Sequence, residues 1–334
     1  MFQFHSSIDT DLQSKMRSEV HCLPANFLAR LQQLIPHNKW DTVANTFAEP
    51  KPTTFRVNSL KSSPSIVCEN LDRQGFRLEK IPWYVEAFIL REGRLRDLQE
   101  TEIYRRGEIY VQSLVSMLPP LVLDPQPGEL VLDLTAAPGS KTTQLACLMK
   151  GEGRIVANDN NKIRFFKLKA NVELQSAKNV ELTLKYGESF GREFPEHFDR
   201  VLLDAPCSAE GRFNVKDPAS YRYWKIHKVR QMARKQRKLL FSALSALRPG
   251  GTLVYSTCTF APEENESVID LALNKFGGVI ELETIQLSLL NRIGGLEEWE
   301  GKSFHSSLKK AVRILPTSQM EGFFIARIRK RGTS

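Results

Sequence analysis

From Leu130 onward, compact apolar runs alternate with segments of helical length, and that alternation restricts the chain to very few folds. LVLDL (130–134), RIVAND (154–159), VELTL (180–184), RVLLDA (200–205) and GTLVYST (251–257) are predicted strands. Between them lie TTQLACLMK, KIRFFKLKANVELQ and a long stretch from Trp224 to Leu247, each predicted helical. Strands that alternate with helices predict an α/β fold with a mostly parallel, Rossmann-like sheet covered on both faces. AVRILP and GFFIARIRK are expected to pair as an antiparallel hairpin at the edge of that sheet. Internal repeats and low-complexity tracts are absent.

The first hundred residues read differently. Leu23 to Ala48 has helical periodicity, with Phe27, Leu28, Leu31, Leu34 and Ile35 on one face and a break at Pro36. EPKPTT is a linker, because its prolines disfavour helix on both sides. FRVNSL and WYVEAFIL are predicted strands around a helix, SPSIVCENLDRQG, that ends at Gly75. This is too short for a nucleotide-binding domain of its own. The expected division is a small α/β accessory, RNA-positioning domain over 1–104 and a catalytic domain over 105–334. The N-terminus lacks the apolar core of a signal peptide, and the weakly polar run from Val111 to Leu123 is too short to span a bilayer and contains Pro119 and Pro120. A cytoplasmic monomer without membrane contact is expected.

Two cysteines follow predicted strands: Cys207 in LLDAPCSAEG and Cys258 in YSTCT. Ligands in open parallel sheets bind beyond the carboxyl ends of strands. Two thiols at that edge, with Asp204 beside one, point to covalent chemistry. The five cysteines are odd in number and contain no C-x-x-C pair, which excludes a disulfide framework and a structural zinc site, and no metal is expected. The charge is also localised. Residues 1–104 hold 13 basic and 13 acidic residues, so the whole net charge of +9 lies after them. Ala205 to Leu240 carries 10 basic and 2 acidic residues, which suits a polyanionic substrate near the chemistry.

After the first strand of the alternating region comes Asp133-Leu134-Thr135-Ala136-Ala137-Pro138-Gly139-Ser140-Lys141. Small residues let backbone amides approach a ligand, and the helix N-terminus that follows favours negative charge. Asp159, 18 residues after Lys141, ends the next strand, where a carboxylate accepts from ribose hydroxyls. G-x-G-x-x-G is absent, which favours S-adenosylmethionine (SAM) over a nicotinamide or flavin dinucleotide.

DLTAAPGSKTTQLA, LLDAPCSAEGRF, LRPGGTLVYSTCTFAPEENE and EGFFIARI resemble consecutive motifs of the Sun/Fmu family of RNA cytosine-C5 methyltransferases. FRVNSLK and GEIYVQSLVSMLPPLVLDPQPGE resemble its upstream part, so the likeness runs from about residue 24 to the end. The resemblance implies a class I methyltransferase sheet. It makes Thr135, Ala136, Ala137, Pro138, Gly139, Ser140 and Lys141 the SAM loop, gives Asp159 the ribose, and places Asp204 between SAM and cytosine. It implies that Cys258 is the nucleophile and that Cys207 helps release the product. Tyr186-Gly187 stands where the family often has an Asp-Gly pair, so Tyr186 is the candidate adenine contact, with Glu188 as a substitute.

Cytosine C5 is a poor nucleophile, and thiolate attack on C6 turns the ring into an enamine-like species that can take a methyl group. The target base has to be unstacked for this. Along the long predicted helix, Val229, Met232, Ala233, Gln236, Leu240 and Ala243 share the packed side, whereas Lys228, Arg230, Arg234, Lys235, Arg237 and Lys238 project elsewhere as an RNA surface. Phe213, Tyr221, Tyr223 and Trp224 precede it and are candidates for base stacking, although a tryptophan at a helix start is more often a core anchor. Ribosomal RNA is the expected substrate, because the N-terminal region resembles that of bacterial rRNA enzymes and the chain ends at the hairpin without an appended RNA-binding domain. Transfer RNA is the alternative. A non-catalytic RNA-binding assembly factor would have no use for both cysteines and Asp204. An exocyclic amino-group methyltransferase would want an N/D-P-P-Y/F tetrapeptide where this chain has DAPC.

Overall fold

An amphipathic helix lies near the start of the described residues. In the computed structural model, which describes residues 20–332, α1 (Ala25–Leu34) buries Phe27, Leu31 and Leu34 on one face. β1 (Thr54–Val57), α2 (Pro64–Arg73), β2 (Arg77–Lys80), β3 (Ala87–Glu92) and β4 (Ile109–Val111) follow. Ser63 caps α2, its Oγ accepting the Ile66 N–H at 3.4 Å, with Pro64 in the first turn where a missing N–H costs nothing. The strands form an antiparallel sheet in the order β2-β3-β1-β4. β3 starts later than WYVEAFIL suggests, because Trp83 and Tyr84 lie in two successive turns, closed by the Tyr84 N–H on the Ile81 carbonyl at 3.2 Å and the Ala87 N–H on the Tyr84 carbonyl at 2.9 Å. β2 escaped the sequence reading, since RLEK is largely exposed and has no apolar alternation.

α3 (Leu114–Leu123) lies between this sheet and the larger one, with eight of its residues buried and Pro119 and Pro120 inside it. The larger sheet then alternates as expected: β5 (Leu130–Asp133), α4 (Ser140–Leu148), β6 (Arg154–Asn158), α5 (Lys162–Leu174), β7 (Val180–Thr183), β8 (Phe198–Asp204), α6 (Ile226–Ala246) and β9 (Leu247–Thr257). α7 (Glu266–Phe276), β10 (Ile280–Glu283), β11 (Arg292–Gly294), β12 (Val312–Ile314) and β13 (Phe323–Lys330) complete it. The spatial order is β11-β12-β13-β9-β8-β5-β6-β7, and β10 pairs separately with β13. β5 to β9 are parallel, and β13 runs antiparallel to β9. The terminal hairpin therefore forms, but not at the edge: β13 is paired along both sides, and β11 lies outside β12.

Period-two alternation fills both faces. Val131, Leu202 and Val254 point to the side covered by α3, α4 and α5, whereas Leu132, Leu203 and Tyr255 point to the side covered by α6 and α7. β5 and β8 are neighbours whose next connections run in opposite directions, so a crevice opens at their carboxyl ends.

The two sheets are joined by a fully buried arginine. Arg56 on β1 donates from Nε to Gln112 Oε1 at 2.9 Å and from Nη2 to Thr143 Oγ1 at 2.7 Å and the Ser140 carbonyl at 3.1 Å, the last two on α4. Its guanidinium also covers the Tyr110 ring at 5.2 Å. Among the described residues, no helix is long and apolar enough to cross a membrane.

Candidate active site

A cavity of about 520 Å³ occupies the crevice beyond β5, β8 and β9. Its walls include Thr135, Ala137, Pro138, Ser140 and Lys141 from the loop before α4, together with Asp159, Asp204, Cys207 and Cys258. Tyr110, Gln112, Ser113 and Ser116, around β4 and the start of α3, form a further part of the wall. Ala136 and Gly139 are not in the wall. Ala136 donates its N–H to the Asn158 carbonyl at 2.7 Å, and Gly139 sits at φ +106°, with Leu168 3.0 Å from where a Cβ would stand. They shape the loop instead of lining it.

Asp204 ends β8 and is held from two sides. Lys141 Nζ lies 2.7 Å from its Oδ2, and the Ser256 hydroxyl donates to Oδ1 at 2.8 Å. Lys141 also donates to Ser116 Oγ at 2.7 Å, so it is turned onto the carboxylate and away from a purely cofactor-facing position. Thr135 Oγ1 donates to the Asp204 backbone carbonyl at 2.8 Å, which ties the first loop to this strand end.

The two thiols meet. Cys207 Sγ and Cys258 Sγ are 3.3 Å apart, one on the loop after β8 and the other on the loop after β9. Hydrogen bonding to Cys258 and burial both push the Cys207 thiol well above its ordinary pKa, so it keeps its proton at neutral pH.

Two acids that the sequence reading did not single out hold these loops. Glu264 accepts from the Ser208 N–H at 3.0 Å and from Gln236 Nε2 at 2.6 Å, while Gln236 also donates to the Pro206 carbonyl at 2.9 Å. Burial pushes its carboxyl up to about 8. Glu210 accepts from Trp224 Nε1 at 2.8 Å, Thr259 Oγ1 at 2.9 Å and the Phe260 N–H at 3.1 Å, and burial raises its pKa as well. Ser208 Oγ and Thr259 Oγ1, 2.7 Å apart, bridge the two loops directly. The available sequence signal was the position of both acids within a few residues of a strand-end cysteine.

Asp159 is 3% exposed in the cavity wall, accepts from the Asn161 N–H at 2.9 Å and lies 3.3 Å from Arg164 Nη2. Tyr186 is not brought to the cavity: it is 74% exposed, and Gly187 forms the wall there. Glu188 has a buried Oε2 without a partner among the described residues.

On α6, Val229, Gln236, Leu240 and Ala243 are buried, and Arg230, Arg234 and Lys238 are exposed without an ion-pair partner among the described residues. Lys235 departs from the expected outer face and lines the cavity with Leu239. Phe213 and Trp224 are withdrawn from any stacking role, because the apolar face of α1 takes them: Phe27 lies 4.8 Å from Phe213 and 5.9 Å from Trp224, ring to ring. Tyr223 alone of the four is exposed, with the Arg222 guanidinium 4.5 Å and the Lys228 ammonium 5.5 Å from its ring centre.

The family described as 16S rRNA methyltransferase RsmB/F matches residues 120–329, and that described as the N-terminal domain of 16S rRNA methyltransferase RsmF matches residues 23–114. A tRNA (cytosine(49)-C(5))-methyltransferase of Pyrococcus abyssi is 40% identical over 84% of this chain and 89% of its own. A ribosomal RNA small subunit methyltransferase F of Vibrio campbellii is 37% identical over 92% of this chain, which spans only 63% of that relative's length. The crystal structure of a methyltransferase homolog protein from Pyrococcus horikoshii superposes with a TM-score of 0.78 at 34% identity, covering 92% of this chain and all of the other.

Proposed function

The chain belongs to the RsmB/F family of 16S rRNA methyltransferases, whose methyl donor is SAM, and from that premise we propose that it forms 5-methylcytosine in ribosomal RNA through a covalent cysteine adduct. The observation that carries the covalent step is the pair of thiols 3.3 Å apart beside the Lys141–Asp204 pair.

The cavity residues fit the donor. The buried Asp159 carboxylate suits ribose hydroxyls, and the wall of Thr135, Ala137, Pro138 and Ser140 leaves backbone within reach of the amino-acid part. Bound there, SAM supplies an electrophilic methyl group. The chain's own residues prepare the base. Cys258 Sγ bonds to C6, the C5=C6 electron pair shifts through the ring toward N3, and Asp204 with Lys141 faces the N3/N4 edge where that charge develops. C5 becomes nucleophilic and takes the methyl group. Water at the cavity mouth takes the C5 proton, the C5–H electron pair restores the C5=C6 bond, and the Sγ–C6 pair leaves on the Cys258 thiolate. Cys207, protonated at rest and touching Cys258 Sγ, assists that release.

The exposed cations of α6 bind the RNA backbone, and residues 1–104, whose sheet takes its last strand from β4, position the RNA. The protein acts as a cytoplasmic monomer without a metal. The match to an RsmF N-terminal domain favours ribosomal RNA. Transfer RNA is the second reading, favoured by the relative whose length this chain nearly spans.

Two cysteine variants test the mechanism. Cys258→Ala should abolish methylation and leave no covalent RNA species. Cys207→Ala should still attack, release slowly, and accumulate a protein–RNA complex that survives denaturing electrophoresis, linked through Cys258. Trapping by Cys258→Ala alone would reverse the two roles, and full activity in both would eliminate the covalent step. Bisulfite sequencing of total RNA from a deletion strain decides between ribosomal and transfer RNA.

A further inference from the structure

Four cations line the cavity: Lys141, Arg164, Arg212 and Lys235. Two of them neutralise acids already there, Lys141 on Asp204 at 2.7 Å and Arg164 on Asp159 at 3.3 Å. The side chains of Arg212 and Lys235 have no hydrogen bond or ion pair with any described residue. The remaining acid of the wall is Glu321, whose charge acts on Lys51.

Arg212 is exposed, yet the backbone that carries it is fixed to the reaction centre. The Gly211 N–H donates to the Cys258 carbonyl at 2.9 Å, and the Gly211 carbonyl accepts from the Gly322 N–H at 3.3 Å. A Cβ at Gly211 would lie 2.1 Å from the Gly322 carbonyl oxygen, so the strand end beside β13 and the turn touch backbone to backbone. Glu210, one residue earlier, is anchored by its three hydrogen bonds. A long cation on so rigid a base, with nothing in the molecule to pair with, has no structural use. Lys235 is half-buried across the cavity, where a cation without a counter-charge is costly until an anion arrives.

We propose that Arg212 and Lys235 clamp the phosphodiester groups that flank the target cytidine, one on each side, and so fix the base over Cys258. The proposal rests on the RNA reading above and names the part of the RNA this rim would hold. A base and the methyl donor can share about 520 Å³. The two charged linkages of the same nucleotide cannot follow without losing their hydration, so they stay at the mouth, where the two unpaired cations are. Arg230, Arg234 and Lys238 lie on the exposed side of α6 before and after Lys235, outside the cavity wall, and meet more distant phosphates.

The test uses a fluorescein-labelled 15-nucleotide RNA of adenosine and uridine with one central cytidine. Versions carry a neutral methylphosphonate beside the cytidine, on either side, or five linkages away. Fluorescence anisotropy should show the wild type losing about tenfold in affinity for each adjacent replacement, the scale of one charge-assisted contact, and little for the distant one. Arg212→Gln should bind the unmodified RNA about tenfold more weakly and become indifferent to one adjacent replacement, and Lys235→Gln to the other. Each variant should also lower the slope of log K against log salt by about 0.7. SAM affinity should not change. Variants that keep the wild-type penalty at both adjacent linkages, or a wild type insensitive to them or unable to bind, would overturn the clamp. Transfer of labelled methyl from SAM to total RNA, measured in parallel, reports on the enzymatic reading separately: binding with the expected pattern but without transfer would reject the activity and leave the clamp.

Discussion

Replacing Asp133 by asparagine should favour the folded protein progressively more as pH rises from 4 to 8. Asp133 ends β5 directly before the cofactor loop and is buried, with Oδ2 accepting from Thr142 Oγ1 at 2.6 Å and Oδ1 without a partner among the described residues. Burial pushes its carboxyl from 3.8 up to about 7, with nearby Asp204 adding to the rise, against the Thr142 hydrogen bond and the Lys141 charge. Because the folded state holds the proton more tightly than the unfolded chain, the group costs stability as pH rises from about 4 to about 7, and the loss is constant above that. At about 1.4 kcal/mol for each pH unit between 3.8 and 7, the ionised carboxylate costs about 4 kcal/mol at pH 8. Asparagine has nearly the same shape and no charge. Its NH2 brings one N–H more to the Oδ1 side than the protonated acid's single O–H, an offset that is the same at every pH and leaves the size of the pH-dependent change intact. Urea unfolding of both proteins without SAM, at half-unit steps from pH 4 to 8.5, should give a stability difference that shifts in the variant's favour by about 4 kcal/mol over that range and then levels. Glu264 and Glu210 titrate in both proteins and drop out of the difference. A difference independent of pH, or one that shifts toward the wild type as pH rises, would refute the argument.

Glu266 and Arg313 are paired twice in the interior, at 2.6 and 2.5 Å, and Arg313 Nη1 also donates to the Phe260 carbonyl at 2.9 Å, two residues past Cys258. Glu266→Leu should cost about 3–5 kcal/mol by stranding the buried guanidinium, whereas Glu266→Leu with Arg313→Met should cost much less; thermal melts of the two proteins compare them. Asp159→Ala should weaken SAM binding by about 1.5–3 kcal/mol in calorimetry, the range for hydrogen bonds to a charged group. Tyr186→Ala should leave that affinity unchanged, because its ring lies outside the cavity.

The parallel core of the fold was legible because each of its strands is a continuous apolar run between helix-length segments, the pattern that burial on both faces produces. β2 and β11 were not, since RLEK and RIG are short and largely exposed, and their pairing is decided by neighbours far along the chain. Strand-end position alone marked Cys207, Cys258, Asp204 and Asp159, all of which the fold brings to one cavity. Helical periodicity put Val229, Gln236, Leu240 and Ala243 on the buried side of α6 and Arg230, Arg234 and Lys238 on the exposed one, but Arg237 is half-buried and Lys235 lines the cavity, because a period describes which side faces the sheet and not what lies beyond the end of a neighbouring strand. Composition could not tell Phe213 from Tyr223. The difference between them is α1, nearly two hundred residues earlier, which covers the one and leaves the other open.

Arg56 makes the small sheet inseparable from the floor of the reaction cavity. Gln112 Oε1 has no other donor among the described residues, and Thr143 Oγ1 and the Ser140 carbonyl also accept from this one guanidinium, which arrives from a strand completed before the catalytic segment begins. A catalytic half excised downstream of β1 would retain the acceptors and lose their donor, leaving Gln112 Oε1 unsatisfied in the interior and the start of α4 without its link to the small sheet. The N-terminal half is thus no interchangeable adaptor that could be traded between enzymes to redirect them. A chimera would have to carry both halves from one parent, or rebuild this junction. Changes in RNA preference are accordingly to be sought in the exposed surfaces of the two halves, with the seam between them kept intact.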